Sequence, residues 1–484
     1  MAVRQLMKIK VDAPAQGPVE NPGGDLVIEY PFSGQDVWGY QKVYATSPTA
    51  SSVDFYLDNV QVSNSYRFRP DSTDLSTDQS TYWINDGVNV GALSNGSHTI
   101  KVVANYANNT KTTKTRTVNV VSSAITMPPI PSATNANGVA NTVISRSFVD
   151  ESVTMQSSKN SNGTYNYTTV QDVRYYREVF VLNHGNRYED TVQVLIPEDV
   201  WEASQPNSGL PKPATPVVWF VHGAGGDHST LNATAAGHVN HGRYAVARGG
   251  IAISCDYGGT LYTHPDAQYR LQSAYRYLAN RFNISKAFFR GTSHGGALST
   301  LAVGRDLIPN IRGMLLGVGV YNVEDDTGGS ANVGVWADPD DIESKHPGMK
   351  QAMQLAGYWD DYLASCVYTA FGGNQNLAAK NNPARLSRFN FVGKDIQLFA
   401  DNNPTPSYNT YLNDKIANRA TKPGDTTVDY QIHGAMFQQN ITSHGGPQPN
   451  SFGFGPSDEG HTESGITDFT LRYYQMLMNF INNP

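Results

Sequence analysis

Near residue 150 the hydrophobic patterning of the chain changes its period, and this switch limits the fold more than any other feature. Between about residues 25 and 122, apolar residues recur in short alternating runs broken by turn signals, with no helical period. Val53–Leu57 reads VDFYL, Asp58-Asn59 is a turn and Val60-Gln61-Val62 follows; Asn95-Gly96 marks another turn, His98–Val103 alternates, and the last strand lies at about Thr115–Val121. This pattern predicts an all-β sandwich. Beyond about residue 151, Val173–Val181 and Thr191–Ile196 read as a hairpin. Short apolar runs at Val217–Val221, Gly250–Cys255, Lys286–Arg290, Met314–Val320, Ile396–Ala400 and Thr427–Ile432 then alternate with longer helical segments, and a helical stripe closes the chain over Ile466–Ile481. Such alternation predicts an α/β domain with a doubly wound, mostly parallel sheet covered on both faces. The chain is therefore read as multidomain, consistent with 484 residues at about 150 per domain.

Proline and glycine place the boundaries. Residues 1–24 contain Pro14, Pro18 and Pro22 and end in Gly23-Gly24, which predicts an extended arm. Residues 123–150, with Pro128, Pro129, Pro131 and a Ser/Asn/Ala stretch, have the composition of a linker. The expected division is 1–24 arm, 25–122 β-sandwich, 123–150 linker and 151–484 α/β domain. Residues of about 321–390 interrupt the strand–helix alternation and carry Trp336, Tyr358, Trp359 and Tyr362, so they are expected to form a cap inserted after the sixth strand.

Within the first domain, VDFYLDNVQV, then Tyr82-Trp83, then SNGSHTIKVVANYANNT resembles, over about 70 residues, the Ig-like modules of bacterial and phage surface proteins. The resemblance implies a spacer, adhesion or sugar-binding unit in which His98 is structural.

Composition excludes several function classes. Charged residues are 16% against roughly 25% in an average soluble protein, and the net charge of −7 comes without a basic stripe, so nucleic acid is not an expected partner. Apolar residues at 39% and aromatics at 11% argue against disorder. Two cysteines, Cys255 and Cys366, exclude a disulfide scaffold and a Cys-based zinc site; both are expected as buried thiols. No apolar run approaches the ~18 residues of a membrane helix. The opening MAVRQLMKIKVDAPAQ lacks the apolar core of a secretory signal. The low charge, 27 tyrosines and many Asn, Ser and Thr nevertheless resemble an extracellular surface protein. The expected location is therefore extracellular or on a virion surface, reached after leader cleavage or by release of phage particles. Homo-oligomer or virion assembly through the arm and the Ig-like domain is the expected mode of association.

The chemistry is concentrated in two glycine motifs. Gly291-Thr292-Ser293-His294-Gly295 is a G-x-S-x-G pentapeptide, which chance supplies roughly 0.3 times in a chain of this composition. Its context makes it specific, because the strand Lys286–Arg290 runs into it and the small-residue helix start Gly296-Ala297-Leu298 follows. A serine on a sharp strand-to-helix turn needs neighbours without side chains, and the turn lifts its hydroxyl clear of the sheet. Upstream, His222-Gly223-Ala224-Gly225-Gly226 ends the strand VVWFV. A glycine-rich turn there can aim backbone N–H groups at an oxyanion, and the expected donors are the N–H groups of Ala224 and His294. A phosphate-binding loop would need a GK[ST] ending, which is missing. His222 itself is expected to be structural.

The two motifs in this order resemble the α/β-hydrolase superfamily over about residues 165–484. The resemblance implies serine catalysis in the order Ser, then an acid after a later strand, then a His near the C-terminus. Asp401 ends the strand Ile396–Ala400 and is the candidate acid, whereas Asp395 lies at the wrong end of that strand. His461 in SDEGHTESG, just before the final helix, is the leading candidate base; His433 and His444 are alternatives, kept open because about 28 residues separate the expected last strand from His461.

The resulting expectation is a serine esterase acting through Ser293, Asp401 and His461 by an acyl-enzyme mechanism. It would need no metal or organic cofactor. Its partner would be an ester-bearing substrate, such as an acetylated surface polysaccharide. A serine peptidase of the same fold and a structural or adhesion protein with a binding-only hydrolase domain are the rival readings.

Overall fold

The computed structural model describes residues 19–21, 24–62, 65–68, 82–121, 143–184, 188–223, 225–231, 238–317, 319, 323, 367–383, 386–401, 451–457, 466 and 468–483. The chain divides into two compact units, one formed by Met1–Arg69 and Ser76–Ser122, the other running on from Ser123.

The first unit is a two-sheet sandwich. Its strands are β1 (Val19–Glu20), β2 (Val27–Tyr30), β3 (Asp36–Val37), β4 (Tyr40–Thr46), β5 (Ser52–Leu57), β6 (Val60–Val62), β7 (Ser65–Phe68), β8 (Tyr82–Asn89), β9 (Gly96–Asn105) and β10 (Thr110–Val120). A six-stranded sheet, β1-β10-β9-β5-β6 with β3 also on β10, faces a four-stranded sheet, β2-β4-β8-β7. One core joins them, with Val53, Phe55, Ile100 and Val102 of the first sheet packed among Ile28, Val43, Ala45 and Trp83 of the second. Asp58 and Asn59 both take positive φ (47° and 68°), the geometry of a tight hairpin turn between β5 and β6. His98 sits 2.6 Å from Asp58 Oδ2 and 2.8 Å from the Ser94 carbonyl, so both ring nitrogens are engaged within the domain. The segment expected as a free arm differs at its end. Val19–Glu20 pair in parallel with Thr110–Lys111, and the Asn21 carbonyl accepts a 2.6 Å bond from Thr112 Oγ1.

The second unit is built on nine strands in the order β11-β12-β13-β15-β14-β16-β17-β18-β19. They are β11 (Val143–Lys159), β12 (Tyr165–His184), β13 (Tyr188–Pro197), β14 (Ala214–Val221), β15 (Ile251–Cys255), β16 (Asn283–Thr292), β17 (Ile311–Gly317), β18 (Asp395–Asp401) and β19 (Ser451–Ser457). The helices are α1 (Glu198–Ala203), α2 (His238–Val246), α3 (Pro265–Arg281), α4 (His294–Arg305), α5 (Val367–Ala370), α6 (Gln375–Lys380) and α7 (Phe469–Asn482). β11, β12 and β13 pair antiparallel, β13 meets β15 antiparallel, and the strands from β15 to β19 pair in parallel.

Alternation along the central strands builds two cores. Val217, Trp219 and Val221 of β14 face a layer with Leu271 and Leu278 of α3 and Leu298 and Ala302 of α4. Val218 and Phe220 face Tyr244 and Ala245 of α2 and Phe469, Tyr473 and Leu477 of α7. This is the two-sided burial expected of parallel strands. From β14 the chain moves through α2 to β15 on one side, then returns through α3 to β16 on the other. Right-handed crossovers in opposite directions put their helices on opposite faces, as α2 and α3 are placed. The loops after β14 and β16 therefore part at a topological switch point, where a crevice opens outside the carboxyl ends of the strands.

Two expectations are corrected here. Residues 143–150, assigned to the linker, are the first half of β11, an edge strand whose polar text buries only Val153 and Met155. With β11 counted, the expected strand Met314–Val320 is β17, the seventh strand of this sheet in chain order and not the sixth, and the expected cap still follows it. Described residues at and just beyond the end of that segment pack on the main core. Phe391 is buried in the main core against Gly304 of α4, where a Cβ would come within 2.8 Å of its ring. Asn381 Oδ1 accepts bonds from Gln268 Nε2 (2.9 Å) and Arg305 Nη1 (3.0 Å), tying the end of α6 to α3 and α4.

A buried ion cluster fastens the antiparallel end of the sheet. Glu178 of β12 is 1% exposed and accepts from Arg281 Nη1 at 2.5 Å, Arg146 Nε at 2.7 Å and Trp201 Nε1 at 2.7 Å. Burial alone would raise its pKa; the bonds from Arg281 and Trp201 outweigh burial and hold it below the ordinary carboxylate value. A depressed folded-state pKa contributes stability above the unfolded value of about 4.3, which is lost as pH falls through the folded value. Replacing Glu178 with Ala leaves the largely buried Arg281 guanidinium uncompensated and is expected to cost about 3–5 kcal/mol in urea unfolding. A loss under about 1 kcal/mol would show that the cluster does not hold α1 and α3 to β12.

Candidate active site

The strand β16 runs straight into Ser293, which takes φ 51° and ψ −121° and caps the N-terminus of α4. A positive φ in a non-glycine residue costs on the order of 1–3 kcal/mol and persists only where the surroundings impose it. The surroundings here are two glycines in contact with backbone. A Cβ on Gly295 would lie 2.3 Å from the Val221 carbonyl oxygen and 2.4 Å from that of His222. A Cβ on Gly291 would lie 2.6 Å from Ser299 Oγ and 2.7 Å from the Gly295 oxygen. The first turn of α4 thus lies directly on the end of β14. The Ser293 N–H donates to the Gly317 carbonyl at 3.1 Å, and the Ser293 carbonyl accepts from Gly296 N–H at 2.9 Å. The result is a sharp strand–serine–helix turn of the kind that presents a nucleophile.

The loop after β14 closes on the same point. Gly223 comes so near that a Cβ on it would sit 3.4 Å from the Ser293 Cβ. Gly226 N–H donates to the Gly223 carbonyl at 3.0 Å, with Gly225 at φ 72°, and Gly225 N–H donates to Thr260 Oγ1 at 3.2 Å. His222 is buried, with Nδ1 2.8 Å from the Gly223 carbonyl and Nε2 3.0 Å from that of Asp256. Its ring serves the loop. Ala224, one of the two expected oxyanion donors, lies outside the described residues.

His294, the other, begins α4, where N–H groups of the first turn have no intrahelical acceptor and the helix dipole favours negative charge. Its side chain points inward, 1% exposed, with its ring 5.1 Å from that of Tyr262 and 5.3 Å from that of His222. Burial first, and the neighbouring His222 second, push its pKa down to about 3, so the ring is neutral at any physiological pH. The sequence predicts its backbone N–H, not its ring, as the donor at Ser293.

Asp401 is the last residue of β18 and lies in register with Ser457 of β19; Asp395 pairs with Gly313 at the opposite end. β16, β17 and β18 are neighbours, so Asp401 and Ser293 leave the same edge of the sheet two strand spacings, or roughly 10 Å, apart. The expected strand Thr427–Ile432 and the histidines His433, His444 and His461 fall outside the described residues. The last described strand is β19 (Ser451–Ser457), in a segment whose text predicts a loop. That text, SFGFGPS, has the glycines and proline of a loop, and Pro456 is tolerated because β19 is the edge strand among the described residues. Of the three candidate histidines, only His461 follows this strand. The chain beyond it is anchored at Asp468, which accepts from Lys159 Nζ at 2.7 Å and Tyr165 Oη at 2.5 Å on the tip of the β11–β12 hairpin.

Sequence reasoning missed Asp256, which follows β15 at the same edge of the sheet. Its Oδ1 lies 2.7 Å from His228 Nδ1. The strand-end rule that selected Asp401 applies to it equally. Among the described residues no group of three or more His, Cys, Asp or Glu is placed to hold a metal ion, and no helix is long and apolar enough to cross a membrane.

No protein-family model and no curated protein matches the chain. Solved structures do. A Staphylococcus aureus protein of unknown function is 12% identical, covering 61% of this chain and 94% of its own, with a TM-score of 0.35. Carboxyl esterase 2 from the fungus Tuber melanosporum is 11% identical, covering 64% and 87%, with a TM-score of 0.37. An esterase of Pyrococcus furiosus is 10% identical, covering 69% and 91%, with a TM-score of 0.34.

Two substitutions test that geometry. Ser293→Gly removes the side chain from a positive-φ position and is expected to raise stability by about 1 kcal/mol, seen as a melting temperature higher by a few degrees. Gly295→Ala forces a methyl group against two carbonyl oxygens and is expected to cost at least about 1–3 kcal/mol in the same assay. Unchanged melting in both variants would contradict the close approach of α4 to β14.

Proposed function

We propose that the second unit is a serine hydrolase that cleaves carboxylic esters through Ser293, His461 and Asp401. The observation that supports the reading best is the backbone of Ser293, held at φ 51° in the switch-point crevice with a glycine loop against its Cβ. Backbone strain of this kind clusters at functional sites, and at this position it serves to present the hydroxyl. In the proposed reaction His461 accepts the Ser293 hydroxyl proton as Oγ attacks the substrate carbonyl. The C–O π electrons move to the carbonyl oxygen, and the N–H groups of Ala224 and His294 bond to that oxyanion. Collapse expels the alcohol, which takes the proton from His461. Water then attacks the acyl-enzyme by the same route and releases the acid and free Ser293. Asp401 orients the imidazole and stabilises its cation. No step uses a metal or an organic cofactor.

An ester is favoured over an amide as substrate because an alkoxide is the better leaving group. The attached β-sandwich, read as an Ig-like module, and the low-charge composition suit an extracellular or virion-borne protein. In that setting the substrate is an acylated surface polymer such as an acetylated polysaccharide.

A short p-nitrophenyl ester tests the reaction. Ser293→Ala is expected to lower kcat/KM by at least about 10³-fold, and Asp401→Asn by about 10⁴-fold if its carboxylate sets the imidazole tautomer. Full turnover by Ser293→Ala would refute the proposal. Hydrolysis of peptide amides in preference to esters would replace it with a peptidase.

A further inference from the structure

We propose that Asp256 and His228 are positioning residues that clamp the glycine loop which holds the oxyanion, an inference that rests on the reading of Ser293 as the nucleophile. The loop between β14 and the 3-10 turn at His228–Leu231 carries Gly223, Gly225 and Gly226. Glycine-rich backbone has the largest conformational entropy to lose, so such a loop does not hold a donor in place by itself. Oxyanion donors, however, must stand within hydrogen-bond reach of one point, and a displacement of about 1 Å can cost on the order of 10²-fold in rate.

Asp256 fixes both ends of this loop at once. Its backbone carbonyl faces His222 Nε2 at 3.0 Å, at the start of the loop. Its Oδ1 accepts the His228 N–H at 2.9 Å and meets His228 Nδ1 at 2.7 Å, at the end of the loop. Its remaining groups are used to hold Asp256 itself. Oδ2 accepts the Thr191 N–H at 2.9 Å, and the Asp256 N–H donates to the Thr191 carbonyl at 3.1 Å, so the residue is locked to β13. The turn that follows is fixed by Asp190, which accepts from Gly258 N–H at 3.3 Å and from Arg270. Tyr257 Oη donates to the Phe220 carbonyl of β14 at 3.2 Å. Asp256 therefore ties both ends of the loop to the sheet, the His222 end through its backbone carbonyl and the His228 end through its carboxylate.

The charges fit this role. Burial opposes the carboxylate, but the His228 ring, the His228 N–H and the Thr191 N–H outweigh it and hold the Asp256 pKa down to about 2. The bond to Asp256 in turn raises the pKa of His228. The carboxylate is therefore charged, and a hydrogen bond to a charged acceptor is the stronger kind.

The clamp is tested with Asp256→Asn, which keeps the shape and removes the charge, in the full chain. Two measurements are made: hydrogen exchange of peptides covering residues 222–231, and hydrolysis of p-nitrophenyl acetate. The inference predicts at least tenfold faster exchange at Gly225, Gly226 and His228, with peptides from α3 and α4 unchanged. It also predicts a kcat lower by about 10–100-fold with KM within about twofold. A residue with only a general structural role would loosen α3 and α4 as well and would not confine the loss to kcat. Unchanged exchange in 222–231 would overturn the inference. Should Asp256→Asn fail to fold, His228→Asn removes the same pair from the loop side and is expected to give the same local exchange and the same loss in kcat. If the unaltered protein shows no Ser293-dependent hydrolysis, the nucleophile assignment fails, and the exchange result still decides whether Asp256 clamps the loop.

Discussion

The close approach of the first turn of α4 to the end of β14 is the contact on which the candidate site depends. Val221 and His222 present carbonyl oxygens where the Cβ of any residue but glycine at position 295 would stand, and Gly291 leaves room for Gly295 and Ser299 in the same way. With both glycines in place the chain can turn from strand to helix within one residue, and Ser293 takes up the turn at positive φ. Packing of Leu298, Ala302 and Val303 into the core holds the helix against the sheet and offsets the cost of that conformation. The same contact brings Gly223 against Ser293 and turns the start of α4 toward the crevice.

The sheet determines which residues share that crevice. Parallel strands deliver their carboxyl ends to one edge, so His222, Asp256, Ser293, Asp401 and Ser457 emerge together although they are spread over more than 200 positions of the chain. Reversal of winding direction between β15 and β16 opens the gap in which they meet. A buried ion cluster at Glu178, on the antiparallel side, fixes β12 against α1 and α3 far from the proposed chemistry. Stability and reactivity are thus placed in different parts of one sheet: apolar alternation and buried charge pairs carry the first, strand ends and glycine turns the second.

How much of this was legible in the sequence varied with how local its cause is. The central strands were readable because both faces are buried, which leaves continuous apolar runs such as VVWFV and IAISC. The serine turn was readable because its steric demand falls on glycines at fixed spacing. The edge strands were not. β11 reads VISRSFVDESVTMQSSK, since an edge strand can stay polar, and β19 reads SFGFGPS, since an edge strand can tolerate glycine and proline. The expected last strand, Thr427–Ile432, leaves His433 and His444 beside His461 as candidate bases; β19 pairs with β18 along its whole length, so the last described strand ends at Ser457. Asp256 was missed for a different reason. Its partners Thr191, His222 and His228 are distant in sequence, and only the folded sheet brings them to one residue.

The central claim is that the Ser293 hydroxyl is a nucleophile. Treating the protein with a fluorophosphonate and mapping the adduct by peptide mass spectrometry tests this most directly. The account predicts a single stoichiometric adduct on the peptide containing Ser293, lost on prior denaturation. Absence of an adduct at Ser293 in folded protein, or equal labelling of several serines, would contradict it.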